Sequence, residues 1–281
     1  MKKGLVLEGG AMRGMFTCGV TDVMMENGIT FDGAVGVSAG AAFGCNYKSG
    51  QAGRAIRYNM KYCRDARYCS LRSLIRTGDM FGADFCYREL PSKLDLFDHE
   101  TYNNSEMEFY AVCTDVETGE AVYHRCDTCE GDEIEWLRAS ASMPLVSRIV
   151  EAGGRRMLDG GIADSIPLKY FESIGYERNV VILTQPRGYV KEKNKAIPLL
   201  KLALGRYPRL IEAMERRHEM YNGQSEYAMS AEREGRALVI CPSEPLPVGR
   251  IEKDPEKLRT VYEIGRAEGE RRLSEIVEFL K

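Results

Sequence analysis

The chain has 281 residues, with 39 Lys and Arg against 42 Asp and Glu and a formal net charge of -3. That length suits one large α/β domain or a domain with a helical appendage, and the dispersed, balanced charge argues against nucleic acid as a partner. Nine cysteines without a compact disulfide framework suit a reducing compartment, and the apolar run after Met1-Lys2-Lys3 is too short for a secretion signal, so a cytoplasmic protein is expected.

In chain order, Gly4 to Leu7 reads as a short apolar strand, Glu8 to Gly14 as a glycine-rich turn, and Met15 to Glu26 as a helix stopped at Asn27-Gly28. The next unit repeats this grammar: Phe31 to Val37 as strand, Ser38 at the turn, and Ala39 to Tyr47 as a helix closing at Gly50. Two strand-turn-helix units in series predict a parallel sheet. Residues Ala52 to Leu96 lack strand alternation and are rich in Arg, Tyr and Cys, which predicts helices and a long surface segment, a candidate lid. Phe109 to Val116 and Glu120 to Arg125 read as strands joined at Glu117-Thr118-Gly119, and Ile134 to Ser142 as a helix ending before Pro144. Val146 to Ala152 and Arg155 to Leu158 predict a hairpin about Gly153-Gly154 that delivers Asp159-Gly160-Gly161. Asn179 to Thr184 has the composition of a buried strand, Pro198 to Arg236 is helical and charged, and Ala237 to Cys241 is a last strand. Asp254 to Phe279 is an amphipathic helix, apolar at Leu258, Val261, Tyr262, Ile264, Leu273, Ile276 and Val277. The expected division is a catalytic domain over 1–190 and a mainly helical extension over 191–281 packed on it.

Chemistry concentrates at Gly36-Val37-Ser38-Ala39-Gly40, where a serine sits between a strand and a helix with glycines two residues to either side. Such a turn forces strained backbone angles on the serine and projects its hydroxyl outward. Acyl transfer through serine also needs a base and donors for the developing oxyanion. The turn Gly9-Gly10-Ala11 supplies N–H groups with little side-chain bulk, and the Ala39 amide adds one more; together they form a candidate oxyanion hole. A dinucleotide-binding glycine loop is the competing reading, against which stand Ala11 in place of the third glycine and Asp32 preceding the second strand. Only His99, His124 and His218 are present, and His218 lies in Arg216-Arg217-His218-Glu219, which reads as a solvated helix face. Asp159, held by Gly160 and Gly161 at the end of a strand, is the better candidate base, giving a Ser38–Asp159 dyad.

These residues resemble the patatin-like phospholipases. The Gly9-Gly10-Ala11-Met12-Arg13-Gly14 turn, the Gly36 to Gly40 elbow and Asp159-Gly160-Gly161 occur in that family's order and spacing. Ala139-Ser140-Ala141-Ser142-Met143-Pro144 is similar to its Ala-Ser-x-x-x-Pro segment, and Pro242 to Asp254 resembles the tail of its bacterial cytoplasmic branch. The resemblance covers roughly residues 4 to 190. It implies a three-layer α/β/α fold with a mainly parallel sheet, a Ser-Asp dyad and hydrolysis of lipid acyl esters, with no metal and no cofactor. It also implies a lipid or acyl-ester partner and a possible contact with the inner membrane surface. Ala11 departs from the family's usual third glycine: alanine keeps the amide donor but enters positive φ at a cost. A lipid- or acyl-binding regulatory protein on the same fold, or transfer of the acyl group to an acceptor other than water, would use the same residues.

Three further features have bland readings beside functional ones. His124, Cys126 and Cys129 are three soft ligands without an evident fourth. Arg54, Arg57, Lys61, Arg64 and Arg67 read as a solvated helix face, or one that meets anionic headgroups. Tyr58, Tyr62, Tyr68, Phe81, Phe85 and Tyr87 read as core cover or an acyl pocket.

Overall fold

Alternation of side chains along the first strands fixes two packed faces from the start. The computed structural model describes residues 1–281. In β1 (Lys2–Leu7), Leu5 and Leu7 enter one apolar core while Val6 enters another on the opposite face. A turn leads into α1 (Gly14–Glu26); then come β2 (Gly33–Val37), α2 (Ala39–Lys48), α3 (Arg54–Tyr62) and α4 (Leu71–Thr77). A π-helical stretch at Phe85–Leu94 precedes α5 (His99–Asn104), β3 (Glu108–Asp115), β4 (Ala121–Arg125) and α6 (Glu133–Ser140). The hairpin of β5 (Val150–Ala152) and β6 (Arg155–Asp159) follows, then α7 (Leu168–Ser173) and β7 (Tyr176–Ile182). The chain closes with α8 (Ile197–Leu204), α9 (Pro208–Arg233), β8 (Ala237–Ile240) and α10 (Pro255–Phe279).

The strands form one sheet in the order β5-β6-β3-β2-β1-β7-β8, with β4 beside β3. Pairings among β3, β2, β1, β7 and β8 are parallel, whereas β4, β5 and β6 run antiparallel to their neighbours. Central strands buried on both faces are the expected result of helices covering both sides, and the valine-rich run Gly33–Val37 is buried throughout. The fold is thus the three-layer α/β/α arrangement expected from the sequence. One layer includes α1, α2 and α10; α7 and α9 pack on the other face.

Two details of the sequence reading change. The charged helical run at 198–236 is two helices, because Tyr207 and Pro208 interrupt it. On α10 the buried stripe is Leu258, Val261, Tyr262, Gly265, Gly269 and Ile276, while Val277 is exposed. Glycines occupy the stripe because α10 crosses α1 in direct backbone contact: a Cβ on Gly265 would lie 2.1 Å from the Phe16 carbonyl oxygen, and one on Gly19 2.2 Å from that of Tyr262. The Tyr262 hydroxyl donates to Asp22 of α1 at 2.7 Å across the same contact. Residues beyond 190 therefore add both an edge strand and a layer helix to the molecule. No helix is long and apolar enough to cross a membrane.

Candidate active site

Ser38 follows the last residue of β2 with φ 55 and ψ -119, outside the regions that non-glycine residues populate. A conformation of this kind costs of order 1–3 kcal/mol and persists only where its surroundings impose it. Here they do. A Cβ on Gly36 would lie 2.4 Å from the Gly40 carbonyl oxygen, and one on Gly40 equally close to that of Leu7, so only glycines let β1, β2 and α2 converge. The Ser38 N–H donates to the Ser140 hydroxyl at 2.9 Å, and the Ser38 carbonyl accepts from Ala41 and Ala42 in the first turn of α2.

Sheet register brings Asp159 to the same place. β4 occupies one edge of β3 at Tyr110–Thr114, so β6 pairs with Cys113–Asp115 on the edge that β2 occupies through Val112. Val37 faces Val112 and Asp159 faces Cys113, so β2 and β6 end head to head on adjacent rungs. Their next atoms meet: the Ser38 hydroxyl lies near enough to the Asp159 carboxyl to favour its ionised form, without a fully formed hydrogen bond. Such bonds often tighten only with substrate present. Asp159 is buried and accepts the Gly161 N–H at 2.8 Å, while its own N–H donates to the Ser142 carbonyl at 2.8 Å. Burial raises the Asp159 pKa above the ordinary carboxylate value, opposed chiefly by the Arg217 charge, then by Ser38 and the Gly161 N–H. Arg217, from α9, donates through Nε to the Gly161 carbonyl.

The glycine turn abuts the serine, since a Cβ on Gly9 would lie 2.8 Å from the Ser38 Cβ. Ala11 to Arg13 form a single 3-10 turn, and Ala11 adopts φ 48, so alanine takes the positive φ that a third glycine would take freely. Replacing Ala11 with Gly is accordingly expected to stabilise the protein by roughly 0.5–1 kcal/mol, net of glycine's backbone entropy, read as a higher urea midpoint at unchanged m-value. The N–H groups of Gly9, Gly10, Ala11 and Ala39 find no acceptor within the protein. Glu8 anchors the turn from below: buried, it accepts the Thr184 N–H at 2.5 Å and the Tyr221 hydroxyl at 2.8 Å. Gly14 begins α1, where a Cβ would press on Ala39.

Ser38 stands between two cavities. One, about 140 Å³, is apolar, with Phe43, Tyr58, Phe81, Tyr87 and Leu137 in its wall. The other, about 290 Å³, holds Ser38, Asp159 and the glycine turn with Arg13, Arg217 and Tyr221. Of the aromatic run, Tyr58, Tyr68, Phe81 and Tyr87 line the apolar cavity, whereas Tyr62 and Phe85 pack edge to face behind it. Of the basic run, Arg57, Lys61, Arg64 and Arg67 are exposed, Arg57 pairing with Asp95 at 2.7 Å and Arg67 with Asp65 and Glu89, whereas Arg54 is buried with Asn46 and the Asp95 carbonyl as partners.

The histidines have other neighbours. His218 Nδ1 is 3.0 Å from the Glu215 carbonyl oxygen, and His99 beside Phe97 has its Nδ1 3.8 Å from Glu130. His124 stacks on Trp136 at 4.1 Å, with Nε2 2.9 Å from Glu133; these two and Cys126 bring ligand atoms within 4.8 Å of one another. Glu133, not Cys129, is thus the third member of that cluster. Sequence reasoning missed Arg217, placed on a solvated face, and the two serines of the 139–144 segment that fix Ser38 and Asp159. Their roles, through the Arg217 and Ser140 side chains and the Ser142 carbonyl, depend on helix rotation and strand register, which short motifs do not encode.

A family model for patatin-like phospholipases matches residues 5–172, and a second model, a domain of unknown function (DUF6363), matches residues 207–281. The chain belongs to the patatin-like phospholipase family. It is 33% identical over 196 residues to the uncharacterized protein YjjU of Escherichia coli (strain K12), covering 65% of this chain and 52% of that one. It is 27% identical over 173 residues to the uncharacterized NTE family protein Mb2594 of Mycobacterium bovis, covering 58% and 27%. Identity to lysophospholipase nte1 of Emericella nidulans is 28% over 186 residues, covering 61% and 11%. The chain thus spans about half or less of the length of these curated relatives. Among solved structures, VipD from Legionella pneumophila matches at TM-score 0.47 and 14% identity, over 98% of this chain and 67% of that one.

Proposed function

We propose that the chain is a serine-dependent acyl-ester hydrolase acting on lipids, with Ser38 as nucleophile and Asp159 as base. The observation that carries this reading is the head-to-head ending of β2 and β6, which sets a strained serine against a buried carboxylate beside unpaired backbone N–H groups. Asp159 takes the Ser38 proton as the hydroxyl attacks the ester carbonyl, and the N–H groups of Gly9, Gly10, Ala11 and Ala39 receive the negative charge on the carbonyl oxygen. Asp159 returns its proton to the departing alcohol. Water, deprotonated by the same carboxylate, then attacks the acyl carbonyl, and Asp159 returns that proton to the Ser38 Oγ as the acid leaves. The acyl chain lies in the apolar cavity. Arg13, Gly14, Gly36, Gly40, Gly160 and Gly161 hold this geometry, and no cofactor or metal takes part in the proposed steps.

A fluorophosphonate probe is expected to label the protein once, at Ser38, with labelling lost in Ser38→Ala and slowed in Asp159→Asn. Label on any other residue in Ser38→Ala would end this reading, and stoichiometric bound lipid without ester turnover would replace it with lipid carriage. We further propose a catalytic part over 1–190 with the helical extension packed on it, in a cytoplasmic protein that meets the inner membrane surface peripherally. Leu199 and Leu202 of α8 are exposed beside Lys193 and Lys195, while Leu200 of the same helix reaches the polar cavity. Sedimentation with phosphatidylglycerol vesicles that Leu202→Glu does not weaken would discard that contact.

A further inference from the structure

The polar cavity on the Asp159 side of Ser38 bears on what the leaving alcohol carries, an inference that rests on the hydrolase reading. We propose that Arg13, Lys191, Arg217 and Arg250 form an anion site for a phosphomonoester on that alcohol, so that the protein selects acylglycerol phosphates over neutral acylglycerols and over zwitterionic choline esters.

All four cations line the cavity that holds Ser38 and Asp159. They arrive from four separate segments: the glycine turn, the loop after β7, α9, and the loop before α10. None of them forms an ion pair, although Arg187, Arg236 and Arg266 on the same molecule each do. Arg13 Nε is buried without a hydrogen-bond partner, and the one bond made by the Arg217 guanidinium is from Nε to the Gly161 carbonyl. Their terminal nitrogens are therefore available to a ligand.

The carboxylates of this cavity act on these cations through space, Asp159 on Arg217 and Glu8 on Lys191, but form no salt bridge with them. Glu8 accepts from Thr184 and Tyr221, and Asp159 from the Gly161 N–H. Burial pushes the Glu8 pKa up, opposed by the Thr184 N–H, the Tyr221 hydroxyl and the Arg13 and Lys191 charges. Lys191 is pushed down to about 8 by burial and by Arg217, Arg13 and Arg250, with Glu8 opposing. Four like charges facing two carboxylates repel one another, and a bound dianion relieves that repulsion. Guanidinium forks match phosphate oxygens two at a time, which a hydroxyl headgroup cannot exploit.

A choline headgroup fits poorly. A quaternary ammonium is held by aromatic faces or by a carboxylate. The Tyr221 and Tyr189 rings here already carry Lys191 Nζ, at 4.2 and 5.6 Å from their centroids. Further out, Lys191, Arg217 and Arg250 also face a second cavity where Lys193 and Lys195 stand with Glu192 and His218. Positive charge thus continues along the approach, with one carboxylate in it.

The test compares three esters of one dodecanoyl chain: acylglycerol phosphate, monoacylglycerol and acylglycerophosphocholine. The wild-type kcat/KM is expected to favour the phosphate by at least about thirtyfold over either alternative, and Lys191→Gln/Arg250→Gln to reduce that ratio below about threefold. Using a ratio cancels any general loss of activity in the variant. A wild-type ratio near unity, or one that the double variant leaves intact, overturns the proposal. A second arm titrates Ser38→Ala with glycerol 3-phosphate and with inorganic phosphate by calorimetry. Glycerol phosphate binding that the double substitution abolishes supports the anion site even if no ester is turned over, in which case the hydrolase reading falls alone. Turnover of the neutral ester with no glycerol phosphate binding removes the anion site and leaves the hydrolase reading standing. Inorganic phosphate binding as tightly as glycerol phosphate, with an ester ratio near unity, assigns the cations to free phosphate and overturns the proposed selection.

Discussion

Asp159→Asn is expected to lower kcat/KM for a p-nitrophenyl acyl ester by about 10³ to 10⁴-fold while leaving the fold intact. Asparagine keeps the side-chain oxygen that accepts the Gly161 N–H, and it removes a carboxylate whose ionised form burial disfavours. It cannot take a proton from Ser38. Retention of activity within about tenfold of wild type would mean that another group is the base. The pH profile checks the assignment independently. Burial raises the folded-state pKa of Asp159, and the proposed reaction needs its ionised form, so kcat/KM is expected to rise with pH through that raised value and to be lost below it. Arg217 opposes the rise. Arg217→Gln should therefore move the acid limb of the neutral-ester profile to higher pH, whereas a merely structural arginine would lower the plateau without shifting the limb.

Gly265→Ala is expected to cost at least about 3 kcal/mol of stability, a large value for one methyl group. The added Cβ would lie 2.1 Å from the Phe16 carbonyl oxygen and within 3 Å of other backbone atoms of that residue. Backbone cannot rotate away as a side chain can, so α10 must shift off α1 and loosen Leu258, Val261 and Ile276. Gly223 in α9 is the contrasting case, because a Cβ there meets nothing within 4 Å. Gly223→Ala should stabilise by about 0.5–1 kcal/mol, as expected for glycine to alanine in a helix interior. Equal urea midpoints for the two alanine variants would show that the α1–α10 contact does not bear on stability.

How much of this could be read from the sequence depends on how local the determinant is. The elbow at Ser38, the glycine turn and Asp159 each sit inside a few residues, and so do the strand-turn-helix units that present them. Their convergence has a non-local cause, the replacement of β2 by β6 along one edge of β3, which the motif order implied but the pattern of single strands did not reveal. Arg217 shows the opposite limit. Flanked by Arg216, His218 and Glu219, it has the composition of an exposed face, yet one turn of α9 rotates it inward against Gly161. Likewise Gly265 looks like a weak point in an amphipathic helix until Phe16 is placed against it. Lys191 and Arg250 lie in loops, where periodicity gives no direction at all.

On the proposed mechanism, the placement of Ser38 at the meeting of two unlike cavities would also govern the fate of the acyl-enzyme. The acyl chain would still occupy the apolar side once the alcohol departs, and a second nucleophile entering by the polar side would pass Asp159. Whatever fills that side competes for the same carbonyl and the same base. Water yields the free acid; a polyol at high concentration yields a new ester. The proportion of the two products would thus be set by the occupancy of the cavity around Arg217 and not by any change at Ser38.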